Sequence, residues 1–121
     1  MALGIIPWPP LHGGLLGGVL RKEAHGVRRA EGRAMETLKT HRDQIQQYED
    51  LADELGHQPG DVGLAWLLAQ PAVTAPIVGP RTQEQLDAAL RALDISLDAQ
   101  TLTRLDEIFP GHKIAPEDYA W

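Results

Sequence analysis

The stretch Thr74–Leu90, TAPIVGPRTQEQLDAAL, decides how this chain is read. Thr74–Val78 is a short apolar run that reads as a buried strand and closes at Gly79. Thr82 and Gln85 then match the S/T-x-x-E/Q capping box that opens a helix. Leu86, Ala89, Leu90 and Leu93 recur at helical spacing, which predicts an inner stripe. A strand, a glycine turn and a capped helix make one βα unit of a parallel sheet.

The pattern extends to both sides. His41–Leu55 repeats Ile45, Tyr48, Ala52 and Leu55 at helical spacing, with Gly56 placed to end the helix. Pro59 suits the first turn of the next helix, roughly 59–69. Leu64 through Leu68 are apolar on nearly every side, so deep burial is expected there until Pro71. Downstream, Asp98 reads as an N-cap, with Leu97 and Leu102 as a hydrophobic staple. Leu102, Leu105, Ile108 and Phe109 then face inward, and Pro110-Gly111 stops that helix. Residues 111–121 form a tail.

Toward the other end, Leu3–Ile6 reads as a second buried strand, stopped by Pro7, Pro9 and Pro10, which cannot donate ladder hydrogen bonds. Residues 11–18 form a glycine-rich loop. Residues 19–40 lack a clean period and read as a long irregular basic loop. The expectation is one α/β domain over 1–121 with two parallel strands.

Length sets the main limit. A closed eight-stranded α/β barrel needs about 250 residues, and this chain has 121. Its 43% hydrophobic and 23% charged residues suit a globular domain and not a disordered chain. Zero cysteines exclude a disulfide scaffold, a cysteine nucleophile and a thiolate metal site. They fit a reducing compartment, so a cytoplasmic location is expected.

Charge is segregated. Residues 1–42 carry seven Lys/Arg against three Glu, net +4; residues 43–121 carry four Lys/Arg against fourteen Asp/Glu, net −10. The acidic portion argues against nucleic-acid binding, which wants a basic face. The first twenty residues are uncharged, but Arg21 and Lys22 follow the apolar run where an export signal would place charge before it. Three prolines and five glycines also spoil a spanning helix. Neither export nor a membrane span is expected.

Two constellations could hold a ligand. At Val78–Gln85, backbone N–H groups and the positive end of a helix point at the turn, and Arg81 adds a bidentate phosphate donor. Gln85 lies one turn further in. The alternative is a plain βα connection whose Arg81 sits in water. At Trp8–Gly18, four glycines (13, 14, 17 and 18) allow a ligand close to the backbone. Trp8 could stack on an aromatic ring at the carboxyl end of a strand, where α/β folds bind ligands. The alternative there is a flexible loop with Trp8 as a lid on the core. No G-x-x-x-x-G-K-[ST] or G-x-G-x-x-G motif is present. His12, His25, His41, His57 and His112 lack metal-ligand spacing. Glu49-Asp50 and Glu117-Asp118 read as solvated pairs, and Tyr48 as core.

These residues resemble a known family. PWPPLHGGLLGG resembles the W-S-P-L-x-x-G-L-L-T-G-K loop of aldo-keto reductases. GLAWLLAQPAVTAPIVGPRTQEQLDAAL resembles their A-L-A-W-L-L…I-x-G-x-R-T-x-E-Q-L-x-x-N-L region, and LDEIFPG…APEDYAW resembles their C-terminal end. The resemblance implies a (β/α)₈ barrel that binds NADP(H) at the carboxyl ends of its strands, with this chain supplying only strands seven and eight and the helices after them. The expected fold is therefore a partial barrel.

The resemblance also implies site residues. Trp8 would stack on the nicotinamide. Leu11, Gly14 and Leu15 would line the diphosphate loop. Gly79, Arg81 and Gln85 would hold the adenosine 2′-phosphate end, with Arg33 as a further phosphate contact. Departures weaken the site: Pro9 stands at the loop serine, Gly17 at the threonine, Val19 at the lysine, and Ala88-Ala89 at the adenine-reading Glu-Asn pair. The family's catalytic Asp, Tyr, Lys and His belong to early strands without counterpart here. The expectation is a truncated, weakly NADP(H)-binding chain that is inactive alone. The alternatives are an oligomerisation module without cofactor, or one half of a split reductase. Its partners would accordingly be further copies of itself or a complementary N-terminal half.

Overall fold

The computed structural model describes residues 3–25 and 33–110, and the side chains of all of these but 33 and 34. Six α-helices run in order: α1 (Val19–Ala24), α2 (Arg33–Thr40), α3 (Arg42–Leu55), α4 (Pro59–Ala69), α5 (Gln83–Arg91) and α6 (Ala99–Ile108), with a 3₁₀ turn at Ala92–Asp94. The segment expected as an irregular loop over 19–40 therefore contains two helices. Val19, Leu20 and Leu38 from it lie in the core, so its periodicity was diluted by charge and not absent. The tail expected at 111–121 lies outside the described residues.

Local signals place the helix ends. Gly56 closes α3 at φ 73°, a left-handed conformation that costs glycine little. Pro59 occupies the first turn of α4. The Thr82 hydroxyl accepts from the Gln85 N–H at the start of α5, and the Asp98 carboxylate accepts from the Thr101 N–H at the start of α6.

Two apolar clusters meet along α3. Leu15, Val19, Leu20, Leu38 and Ile45 form one. Tyr48, Leu51, Ala52, Val62, Leu105 and Ile108 form the other, and Leu16 and Phe109 pack against both. Burying a side chain such as Ile45 or Leu51 contributes about 1.5–3 kcal/mol. Tyr48 and Phe109 stack in a tilted pair with centroids 5.9 Å apart. On its other side α4 meets α5 and the 3₁₀ turn. There Arg91 Nε donates to the buried Asp61 carboxylate at 3.3 Å.

The strand expectations are corrected. Among the described residues no strand extends beyond one parallel bridge, Ile5 to Val73, and there is no closed barrel. The Ile5 N–H donates to Ala72 O at 2.7 Å, the Thr74 N–H to Ile5 O at 2.8 Å and the Ile77 N–H to Pro7 O at 3.3 Å. Gly4 permits this approach, since a Cβ there would stand 1.9 Å from Thr74 Oγ1. Both segments are exposed, not buried: Leu3 is 80% accessible, and Ile5, Ile6, Ile77 and Val78 are also open. The stripe on α5 is likewise only partly covered, with Leu90 and Leu93 exposed. On α4 the first half is buried, whereas Leu68 and Ala69 are exposed. Residues that a strand pattern marks as interior thus have nothing packed over them among the described residues.

Candidate functional site

The parallel bridge fixes how the two ligand-binding candidates sit. The Ile77–Pro7 hydrogen bond continues the pairing past Ile5–Val73, so the chain leaves both segments in the same direction, one into Trp8 and the other into Gly79. Both candidate loops therefore emerge side by side at the carboxyl edge. Trp8 is 74% accessible. It is not a lid on the core, and its indole face is available for stacking.

After Trp8 the chain coils through successive turns. The His12 N–H donates to Pro9 O, the Gly14 N–H to Leu11 O, and the Gly17 N–H to Gly14 O. Gly13, Gly14 and Gly18 hold positive φ values of 64°, 90° and 84°, which a residue with a Cβ adopts only under strain. Leu11 anchors the loop on α4. A Cβ at Gly63 would stand 3.0 Å from both Leu11 Cδ2 and the Tyr48 hydroxyl, and one at Gly60 would stand 3.6 Å from Leu11 Cδ1. Gly14 is half-buried in the same loop. Leu15 is 4% accessible in the core cluster with Val19 and Ile45, so its side chain packs inward and only its backbone remains on the loop.

A carboxylate that the sequence reading left in solvent holds the far end of this loop. Glu49 is buried at 2% accessibility. The Leu20 N–H donates to its Oε1 at 2.9 Å and the Arg21 N–H to its Oε2 at 3.2 Å. Gly18, the N-cap of α1, has no side chain, so Glu49 from α3 takes those N–H groups instead. Arg21 returns along the same side: its Nη2 donates to Glu49 O at 2.8 Å and sits 2.5 Å from Asp53 Oδ2. One signal could have found this. Glu49 follows Ile45 by four residues and precedes Ala52 by three, on the buried stripe of α3.

The second loop is open but already capped. Among the described residues, its chain neighbours aside, no heavy atom lies within 4 Å of a Cβ placed on Gly79, and the Arg81 side chain is exposed. Free N–H groups were expected at the start of α5, yet those of Arg81 and Gln85 are used internally. The Arg81 N–H donates to Gln85 Oε1 at 2.7 Å, and the Gln85 N–H donates to Thr82 Oγ1 at 3.2 Å. Glu84 takes its own backbone N–H and the Thr82 hydroxyl, and these hold its carboxyl below the usual carboxylate range. Gln85 thus reaches back one residue beyond the usual capping-box partner, to residue 81 and not 82. Arg33 begins α2, and its side chain lies outside the described residues.

The donor set suits an anion. An exposed guanidinium, an open glycine turn and a second loop held in glycine-only conformations supply charge and room for close approach. The donor set does not suit a metal: among the described residues no group of three His, Asp or Glu could hold one. Among the described residues, no helix is long and apolar enough to cross a membrane.

Comparison with known proteins identifies the family. The Aldo/keto reductase family model matches residues 2–109. An uncharacterized oxidoreductase of Bacillus subtilis, YrpG, is 47% identical over 122 residues, covering 100% of this chain and 37% of the relative. A putative voltage-gated potassium channel subunit beta of Schizosaccharomyces pombe is 30% identical over 87% of this chain and 33% of its own length. Versiconal hemiacetal acetate reductase of Aspergillus parasiticus is 28% identical over 94% and 34%. The chain spans about a third of the length of these curated relatives. With the family model covering nearly all of the described residues, the chain belongs to the aldo/keto reductase family.

Proposed function

We propose that this chain forms the cofactor-phosphate end of an aldo/keto reductase, binds NADP(H) weakly, and performs no carbonyl reduction alone. The observation that carries this reading is the paired exit of Trp8 and Gly79 from adjacent parallel segments. The bound nucleotide would supply hydride. Trp8 offers a stacking face for the nicotinamide ring. The turns around Leu11 and Gly14 offer a close approach for the diphosphate. Arg81 offers a bidentate fork to the 2′-phosphate beside Gly79.

Affinity is held down at α5. Gln85 must release the Arg81 N–H before that group can meet a phosphate, and the Glu84 carboxylate opposes the incoming charge. Chemistry is held down because the family's catalytic Asp, Tyr, Lys and His belong to strands that this chain does not supply. Tyr48, the single tyrosine among the described residues, is buried and donates to the Leu16 and Pro59 carbonyls. Burial pushes its pKa upward, away from any role as an acid near neutral pH. Purified chain mixed with NADPH and a reactive aldehyde should show no NADPH oxidation above a protein-free control. Saturable turnover would overturn the reading.

A second reading adds a partner. Leu3, Ile5, Ile6, Ile77, Val78 and Leu93 leave an apolar surface open next to unpaired backbone edges. A protein carrying the six preceding βα units would present both missing edges at once and close the barrel. Self-association would require one copy to satisfy two different edges. Mixing the chain with the N-terminal two-thirds of the B. subtilis relative should give a one-to-one complex by light scattering, with NADPH-dependent aldehyde reduction. A homodimer that ignores the added fragment would refute this partner.

A further inference from the structure

We propose that Tyr48 is a positioning residue for the glycine loop: its hydroxyl pins the end of that loop to α4, so the loop meets a diphosphate already in its binding shape. The assignment rests on the NADP(H) reading above. The Tyr48 hydroxyl donates to Leu16 O at 3.2 Å and to Pro59 O. One proton thus ties a carbonyl of the loop to a carbonyl in the first turn of α4. Burial raises the Tyr48 pKa, so the hydroxyl keeps its proton and remains a donor around neutral pH. The Phe109 ring, tilted against that of Tyr48, holds it in place.

The facing side of α4 is shaped for this contact. Glycine is disfavoured inside a helix, yet Gly60 and Gly63 both lie in α4. A Cβ on Gly60 would stand 3.8 Å from Gly17 Cα, and one on Gly63 would stand 4.0 Å from Leu16 Cβ and 3.0 Å from the Tyr48 hydroxyl. Gly63 therefore makes the room in which the hydroxyl sits. Tyr48 and Glu49 are consecutive on α3 and take complementary groups. Tyr48 takes the Leu16 carbonyl near the end of the loop, and Glu49 takes the Leu20 and Arg21 N–H groups just after it. Neighbours on a helix point about 100° apart, so the two grips act from different directions. A glycine-rich segment loses much backbone freedom when a ligand orders it. Ordering it in advance removes that entropy cost from binding.

The test compares the 121-residue chain with Tyr48→Phe, which keeps the ring and removes the hydroxyl, and with Ile108→Val, which trims the same core cluster and leaves the loop hydrogen bonds alone. Amide hydrogen exchange reads the hold on the loop. In Tyr48→Phe the Leu16 and Gly17 amides should exchange about fivefold faster relative to those of α6, the factor expected for one lost hydrogen bond. Ile108→Val should show no such excess. Calorimetry with NADPH and with adenosine 2′-monophosphate, which carries the 2′-phosphate and no diphosphate, reads the consequence. Tyr48→Phe should weaken NADPH about two- to fivefold and leave adenosine 2′-monophosphate unchanged. Equal acceleration of loop and α6 amides would overturn the assignment, because it would mark Tyr48 as a core residue and nothing more. Faster loop exchange with unchanged NADPH affinity would also overturn it while leaving the cofactor reading intact. Wild-type chain that binds neither probe would overturn both.

Discussion

Replacing Glu49 by alanine should unfold the support of the glycine loop. The carboxylate is 2% accessible and accepts from the Leu20 and Arg21 N–H groups at 2.9 and 3.2 Å. A hydrogen bond to a charged group contributes about 1.5–3 kcal/mol. The Leu20 N–H is left buried without an acceptor, so its full contribution is lost. The Arg21 N–H is only partly buried, and water recovers some of that bond. Arg21 keeps Asp53 at 2.5 Å, so its own charge is not stranded. The net expectation is a loss of about 3 kcal/mol for Glu49→Ala. Glu49→Gln retains the oxygen facing Leu20 and sets an amide against the Arg21 N–H, so it should lose about 1–2 kcal/mol. Equilibrium urea unfolding followed by circular dichroism measures both. Against a total stability of roughly 5–15 kcal/mol, either shift is resolvable. A Glu49→Ala variant within about 0.5 kcal/mol of wild type would refute the claim that this carboxylate caps α1.

Three further outcomes are expected. Gly63→Ala should destabilise the chain by about 1–3 kcal/mol in the same urea assay, because its Cβ meets Leu11 and the Tyr48 hydroxyl at 3.0 Å. Glu84→Gln should tighten NADPH roughly two- to fivefold at low salt by removing a like charge at the α5 terminus, with the gain fading at high salt, as calorimetry at two ionic strengths would record. Asp98 is held below its usual carboxylate range by the Thr101 N–H, so its capping contribution is present above the unfolded-state pKa and is lost as pH falls through the folded one. Melting temperatures of wild type and Asp98→Ala should therefore differ near neutral pH and converge in strong acid.

Legibility in the sequence followed the range of the interactions. Caps at Gly56, Pro59, Thr82 and Asp98 depend on residues within one turn, and reading them placed four helix boundaries. Strands need partners. Leu3–Ile6 and Thr74–Val78 have the apolar character of buried strands but share one bridge, and nothing else among the described residues covers them. Helix α2 was hidden because charge dilutes its few apolar residues, and α1 because its own pack against α3, tens of residues away. Glu49 was misread for the same reason: its partners lie 28 and 29 residues earlier. The candidate site was legible as motif spacing at Trp8 and Arg81, whereas the internal capping by Gln85 required coordinates.

The central claim is that the exposed Trp8 and Gly79–Arg81 loops together hold the phosphate end of NADP(H). Calorimetric titration of the 121-residue chain with NADPH and, separately, NADH tests it directly. Arg81 beside the open Gly79 turn predicts saturable NADPH binding and markedly weaker NADH binding, because only NADPH carries the 2′-phosphate. Equal affinities for the two nucleotides, or no saturable binding of NADPH, would contradict it.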